Sequence, residues 1–209
     1  MLHWQRRILF VKGKVVPMKS VISAILALLF LATPALAHTG TGIHGGFLSG
    51  FTHPIFGWDH VVAMVAVGLW GAVLGRPAIW ILPIVFPLIM AFGAMLGIMG
   101  VPIPHIETGI ALSGVVLGLM VLFAVRAPLA VAAVLVGLFA VFHGHAHGTE
   151  LPALANPFAY AAGFVIGTGL LHLAGILIGT LAAWRGGVVV RAGGAVIALV
   201  GAAFLAGLA

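Results

Sequence analysis

The chain has 209 residues, of which 63% are hydrophobic and 6% charged, and its mean hydropathy is +1.31. Nine Lys and Arg and three Asp and Glu are too few to coat a soluble domain or to form a nucleic-acid-binding surface. The composition therefore predicts an integral membrane protein with no nucleic-acid partner. Cysteine is absent, which excludes disulfides and thiolate metal sites, whereas ten histidines in so apolar a chain require an explanation.

The N-terminal segment has the pattern of a secretory signal peptide. A lysine precedes an apolar run, and the tripeptide that ends at Ala37 has the small-x-small form read by signal peptidase. We predict cleavage after Ala37, so that residues 1–37 are a leader with its true start at Met1 or Met18, and residues 38–209 form the transmembrane domain. The alternative is an uncleaved anchor, for which the apolar run is short.

Six apolar stretches follow, separated by short breaks that contain polar residues, proline or arginine. They predict an all-α integral membrane protein, a bundle of six transmembrane helices in one domain. The predicted spans are residues 58–75, 78–100, 105–125, 128–147, 157–183 and 188–208. Glycine pairs at four-residue spacing, such as Gly93 with Gly97, predict close helix packing. Pro83 and Pro87 are expected to kink the second span or to open its backbone ladder.

The basic residues downstream of the leader predict one orientation in the membrane. Arg76, Arg126, Arg185 and Arg191 all fall at the same end of the predicted helices, and the positive-inside rule makes that end cytoplasmic. The mature N-terminus is then exoplasmic, which agrees with a cleaved signal peptide. Most of the histidines and all three acidic residues fall at the opposite end.

The first candidate site is the segment from His53 to His60, which leads into the first span. Asp59 and His60 stand at the start of that span, and Met64 follows His60 by one helical turn. Carboxylate, imidazole and thioether together suit a first-row transition-metal ion. The structural alternative is that Asp59 only interacts with the positive end of the helix dipole, and this alternative leaves His60 unexplained.

The second candidate site closes the fourth span, in the segment from Phe142 to Glu150. In a continuous helix His143 and His147 lie at i and i+4, with Glu150 three residues further on the same face. Two such imidazoles can chelate one ion, with the carboxylate as a third ligand or as a hydrogen-bond acceptor. His145 points to another face. The alternative is a solvated histidine-rich loop tip.

The remaining candidates are weaker. Glu107, beside His105, falls in the first turn of the third span, where an ionisable group is costly unless it meets a partner or water. His172 lies deep in the fifth span, either as a relay on an ion pathway or as a core histidine bonded to a carbonyl. After cleavage, His38 and its α-amine could chelate a metal together in a flexible segment that also contains His44. Met64 and His145 belong to the same weaker group.

The two motifs together resemble the HupE/UreJ family of small nickel permeases, which is associated with hydrogenase and urease gene clusters. The resemblance rests on the segment from His38 to Trp70 and on FHGHAHGTE at 142–150. It implies a protein of the bacterial inner membrane that takes up nickel without ATP hydrolysis. The family's functional positions carry over to His53, Asp59, His60, His143, His147 and Glu150.

We therefore expect a divalent metal permease with no resident cofactor, whose transported ligand is Ni²⁺ or alternatively Co²⁺, Cu²⁺ or Zn²⁺. The expected partners are this ion and the lipid bilayer; a homo-oligomer or an accessory subunit is left open. Two other readings use the same residues. One is a metal sensor or chaperone that binds without transport. The other is an intramembrane metal-dependent hydrolase, although no substrate-binding domain is evident and we expect no enzymatic activity.

Overall fold

The computed structural model describes residues 46–151, 156–183 and 187–208, together with two short strands nearer the N-terminus. The strands, Phe10–Val11 (β1) and Lys14–Val15 (β2), pair antiparallel within the predicted leader. They belong to a separate compact unit, residues 1–39. The predicted cleavage site, His38 and His44 lie outside the described residues, as does Arg185.

The described part of the second unit contains seven α-helices. They are Phe47–Phe56 (α1), Trp58–Leu74 (α2), Ala78–Ile98 (α3), Ile106–Leu122 (α4), Leu129–Thr149 (α5), Pro157–Ala183 (α6) and Val188–Leu205 (α7). Each of the helices α2 to α7 begins at the start of a predicted span or one residue after it. Large apolar side chains such as Leu88 and Val134 are exposed on the outside of these helices, as expected of a surface that faces lipid.

Four helices are long and apolar enough to cross a bilayer, namely α3, α5, α6 and α7. Helices α1 and α2 pass the same test together, as one span bent by 82°, and α4 is a shorter apolar helix of 17 residues. Among the described residues, length and composition thus assign four spans, or five with the bent pair. The described part of the second unit is all-α, and its apolar helices are those of a multi-pass membrane protein.

Helix α1 was not predicted from the sequence. It ends at Gly57, whose extended backbone (φ −83°, ψ 107°) separates it from α2. Helix α1 packs against α6 through glycine: a Cβ on Gly163 would overlap the backbone of Phe47, and one on Gly50 would overlap that of Tyr160. This bend turns the end of α1 towards the start of α2 and the end of α5.

Glycines also join α3 to α5, the helix that carries the second motif. A Cβ on Gly93 would lie 2.5 Å from the Val141 carbonyl oxygen, and one on Gly97 would overlap the His145 carbonyl. A Cβ on Gly144 of α5 would likewise overlap the backbone of α3, at the Met90 carbonyl. The predicted pair of glycines in the second span therefore does lie at a helix interface, where backbones can approach closely.

Candidate metal centre

Three helices bring four imidazole rings together at one end of the bundle. His53 comes from the end of α1, His60 from the start of α2, and His143 and His147 from the last two turns of α5. The ring centroids of His60 and His147 are 4.3 Å apart, and those of His60 and His143 are 4.8 Å apart. His53 lies 4.8 Å from His147. We call these four residues the histidine cluster.

Asp59 orients His60 within this cluster. Nδ1 of His60 donates a hydrogen bond to Asp59 Oδ1 over 2.9 Å, because a carboxylate can only accept. In a neutral imidazole the other nitrogen, Nε2, then carries the lone pair. That atom is buried and has no hydrogen-bond partner in the described structure. The pair has the carboxylate–histidine arrangement that commonly orients metal-binding imidazoles.

Ser113 of α4 orients His143 in the same way. Its hydroxyl donates to the Ile110 carbonyl over 2.6 Å, so its oxygen is left to accept from Nε2 of His143 at 2.9 Å. Nδ1 of His143 then carries the lone pair, and this buried atom too lacks a partner among the described residues. Both side chains are completely buried, so water cannot reorient the ring.

The histidine cluster reaches the surface of the protein at His53, next to Glu150. His53 Nε2 lies 3.6 Å from Glu150 Oε2, and the two side chains are 37% and 51% exposed. Three possible ligand atoms lie within 4.8 Å of one another, close enough to hold a metal ion; they come from His53, His147 and Glu150. His147 itself is buried, and neither of its ring nitrogens has a hydrogen-bond partner in the part of the chain described.

Aromatic side chains enclose the cluster on its inner sides. The Phe164 ring of α6 lies 4.2 Å from the His147 ring, and Tyr160 of the same helix lies 6.2 Å from His53. Phe86 of α3 contacts His143 at 5.6 Å. Aromatic rings of α3 and α6 therefore border the cluster on two sides.

The weaker candidates are placed differently. His145 faces away from the cluster and its Nε2 donates to the Val101 carbonyl over 2.7 Å, which ties the end of α5 to the α3–α4 loop. Met64 is buried within the hydrophobic core. His105 and Glu107 are exposed at the start of α4. His172 is buried deep in α6, beyond the cluster.

Sequence reasoning did not identify Ser113, Phe86 or Phe164 as parts of this site. Gly57 lies in the segment from His53 to His60 but was given no role there; a Cβ on it would lie 3.1 Å from Asp59 Oδ1 and 3.2 Å from His60 Nδ1. The glycine therefore leaves room for the hydrogen-bonded pair. The only sequence signal for Ser113 is a hydroxyl in an otherwise apolar helix, and the two phenylalanines resemble ordinary core residues.

The cluster offers donor atoms that could hold a borderline transition-metal ion. Neutral imidazole nitrogens and a few carboxylate oxygens suit Ni²⁺, Co²⁺, Cu²⁺ or Zn²⁺. Two of the four rings are anchored through one nitrogen, which leaves the other available as a ligand. Burial of several such polar atoms without partners is unfavourable unless a ligand satisfies them.

Comparison with known proteins identifies the family of the chain. The model of the family described as "HupE / UreJ protein" matches residues 26–204. "Protein HupE" of Rhizobium leguminosarum bv. viciae is 48% identical over 179 residues, which cover 85% of this chain and 94% of that protein. No solved structure matches the chain. The resemblance inferred from the two motifs is thereby confirmed.

Proposed function

The chain belongs to the HupE/UreJ family, and from this premise we propose that it is a permease that takes up a divalent transition-metal ion, nickel first. The observation that carries the proposal is the histidine cluster. Its ligands progress from half-exposed His53 and Glu150 to completely buried His143. A site with that gradient can accept an ion from water and remove its hydration shell within the bundle.

The permeation function requires the cluster to face the outside of the cell. Helix α2 begins at the cluster and ends next to Arg76, and α5 begins after Arg126 and ends at the cluster. The two arginines line one cavity of about 220 Å³, so basic residues and the cluster lie at opposite ends of these helices. We propose six spans in the inner membrane, counting the bent α1–α2 pair and α4 as one span each. The arginines are then cytoplasmic by the positive-inside rule.

The driving force in this proposal is the membrane potential. Moving two charges inward across 100 mV releases about 4.6 kcal/mol, at roughly 2.3 kcal/mol per charge. This energy supports a concentration ratio of about three decades. The sequence contains no nucleotide-binding motif, and the potential makes ATP hydrolysis by this chain unnecessary.

The metal sensor or chaperone and the metal-dependent hydrolase remain the rival functions. A sensor would bind the ion at the same cluster without moving it. A hydrolase would need a water on the metal and a general base near a substrate pocket, whereas the cavity of about 90 Å³ beside His147 is lined almost entirely by apolar side chains. This lining offers few polar groups to hold a hydrolysable substrate, which favours ion passage over hydrolysis.

The proposal is tested by uptake of radiolabelled nickel into proteoliposomes with an imposed potential, inside negative. Wild-type protein should accumulate nickel, with cobalt, copper and zinc added in turn as competitors. The variant His143→Ala should lose most of the uptake. Leu138→Ala is the matched control, because it also truncates a side chain of α5 but on the outer surface, where Leu138 is 54% exposed.

Three outcomes separate the candidate functions. Uptake that depends on the potential and is lost in His143→Ala supports the permease. Tight nickel binding by wild-type protein with no accumulation would favour the sensor or chaperone instead. Equal uptake by His143→Ala and Leu138→Ala would refute the role given to the cluster.

A further inference from the structure

The inner face of α6 continues past the histidine cluster towards the other end of the membrane. Tyr160, Phe164, Thr168 and His172 recur every four residues, and each is at most 7% exposed. Side chains at this spacing share one face of a helix. The first two contact rings of the cluster, so Thr168 and His172 extend the same wall deeper into the bundle.

Both deeper side chains are polar and lack partners. Thr168 Oγ1 and both ring nitrogens of His172 make no hydrogen bond with any described residue, although they are almost completely buried. A threonine inside a helix usually donates to the carbonyl one turn before it. Thr180 of the same helix does so, to the Ile176 carbonyl over 2.8 Å. Thr168 does not, which leaves its hydroxyl available to a ligand.

Helix α3 supplies a third polar group at this level. Because Pro87 has no N–H, the carbonyl of Pro83 lacks the donor that a helix normally provides four residues later. The ring of His172 lies beside that carbonyl without a hydrogen bond of good geometry. An imidazole, a freed carbonyl beside it and a hydroxyl about 6 Å, one helical turn, nearer the cluster are therefore available as donor atoms in this part of the bundle.

Phe86 links this level to the cluster. Its ring centroid lies 5.6 Å from that of His143 and 5.4 Å from that of His172, and the side chain is completely buried. At 1.5 Å per residue, His172 lies about 22 Å along α6 from its first residue, and His143 lies about 9 Å along α5 from its last residue. His172 is therefore the deeper of the two in the bundle. One phenyl ring thus separates the cluster from the deeper imidazole.

We propose that His172, Thr168 Oγ1 and the Pro83 carbonyl form a second, deeper binding site for the divalent metal ion. The ion reaches it from His143 past Phe86. Nitrogen and oxygen donors suit the same borderline ions as the cluster. With a single imidazole and no carboxylate, this site binds more weakly than the cluster, as an ion that must leave again requires. The inference rests on the proposed function.

The test compares metal binding and transport in the full-length protein. Nickel binding to the protein in lipid nanodiscs is measured by equilibrium dialysis, and uptake is measured in proteoliposomes. His172→Gln keeps a polar side chain but replaces the imidazole by a poor metal ligand. Thr168→Val removes only the hydroxyl, and Thr180→Val makes the same change on α6 at a hydroxyl that its own helix satisfies.

We expect wild-type protein to bind two ions, one of them weakly. His172→Gln should lose the weak site, keep the affinity of the cluster within twofold, and reduce uptake at least tenfold. Thr168→Val should weaken the deeper site about tenfold, a loss typical of groups that assist metal coordination, while Thr180→Val should match wild type. Bound Co²⁺ reports on folding, since its absorption at the cluster should persist in His172→Gln.

Wild-type stoichiometry and uptake in His172→Gln would overturn the inference and leave the permease intact. A single bound ion in both proteins would overturn it as well. If wild-type protein instead binds two ions, loses one in His172→Gln and never accumulates nickel in vesicles, the deeper site stands and the proposed function fails.

Discussion

Replacing Ser113 by alanine should disable His143 without touching any metal ligand. The serine oxygen accepts the Nε2 hydrogen of His143 over 2.9 Å while its own hydrogen goes to the Ile110 carbonyl. Alanine cannot accept, so a completely buried imidazole N–H is left unpaired. Such a group costs about 1–3 kcal/mol. A hydrogen on Nδ1 would be just as unpaired, since that buried atom also lacks a partner among the described residues. Without Ser113 neither tautomer is favoured, so the lone pair proposed to bind the ion is no longer held on Nδ1.

The expected result of Ser113→Ala is a loss of nickel affinity of about 10- to 100-fold, the usual effect of removing a group that orients a metal-binding histidine. Affinity is measured by equilibrium dialysis. The tautomer of His143 is read from its ¹⁵N chemical shifts in nanodiscs without metal. Ser113→Thr keeps the hydroxyl and should keep both the tautomer and most of the affinity. Unchanged affinity in Ser113→Ala, with the hydrogen of His143 still on Nε2, would refute the reasoning.

Three further predictions test the architecture around the site. Gly57→Ala should lower nickel affinity while helicity by circular dichroism stays unchanged, because its Cβ would press on the carboxylate–imidazole pair at 3.1–3.2 Å. Gly144→Ala should lower the free energy of unfolding by about 1–3 kcal/mol, because the added Cβ overpacks the contact with α3; thermal unfolding measures this. Gly137→Ala on the same helix is the control and should unfold like wild type, since the atom nearest to its Cβ would be 3.7 Å away. Cysteines that replace Arg76 or Arg126 in this cysteine-free chain should resist impermeant thiol reagents applied outside; ready labelling would invert the topology.

The helices were predictable because lipid leaves one strong signal in a sequence. A span must be long and apolar, and the starts of α2 to α7 agree with the hydropathy pattern within one residue. Helix α1 escaped that pattern because it has only ten residues and contains Pro54 and His53. The direction of α1 depends on the backbone conformation of Gly57, and hydropathy carries no information about backbone conformation.

The polar side chains of the candidate site could be predicted from the sequence, but the residues that orient them could not. Imidazole and carboxylate stand out in an apolar chain, and the i, i+4 spacing of His143 and His147 places both rings on one side of α5. Ser113 could not be paired with His143 from sequence, since they lie on different helices, thirty residues apart. For His172 the sequence left a relay and a core residue open. The position of His172 beside Pro83 depends on how α3 and α6 pack together, which the sequence does not reveal.

The distribution of acidic residues indicates why the cluster should pass an ion on rather than retain it. The whole chain has three carboxylates: Glu150 is half exposed at the mouth, Asp59 is hydrogen-bonded to His60, and Glu107 is exposed on α4. In the proposed permease, an arriving divalent ion meets negative charge at the mouth and beside His60, and only neutral donors at the deeper site. Attraction is strongest where the ion must be captured and weakest where it must leave, which is the condition for conduction through successive sites.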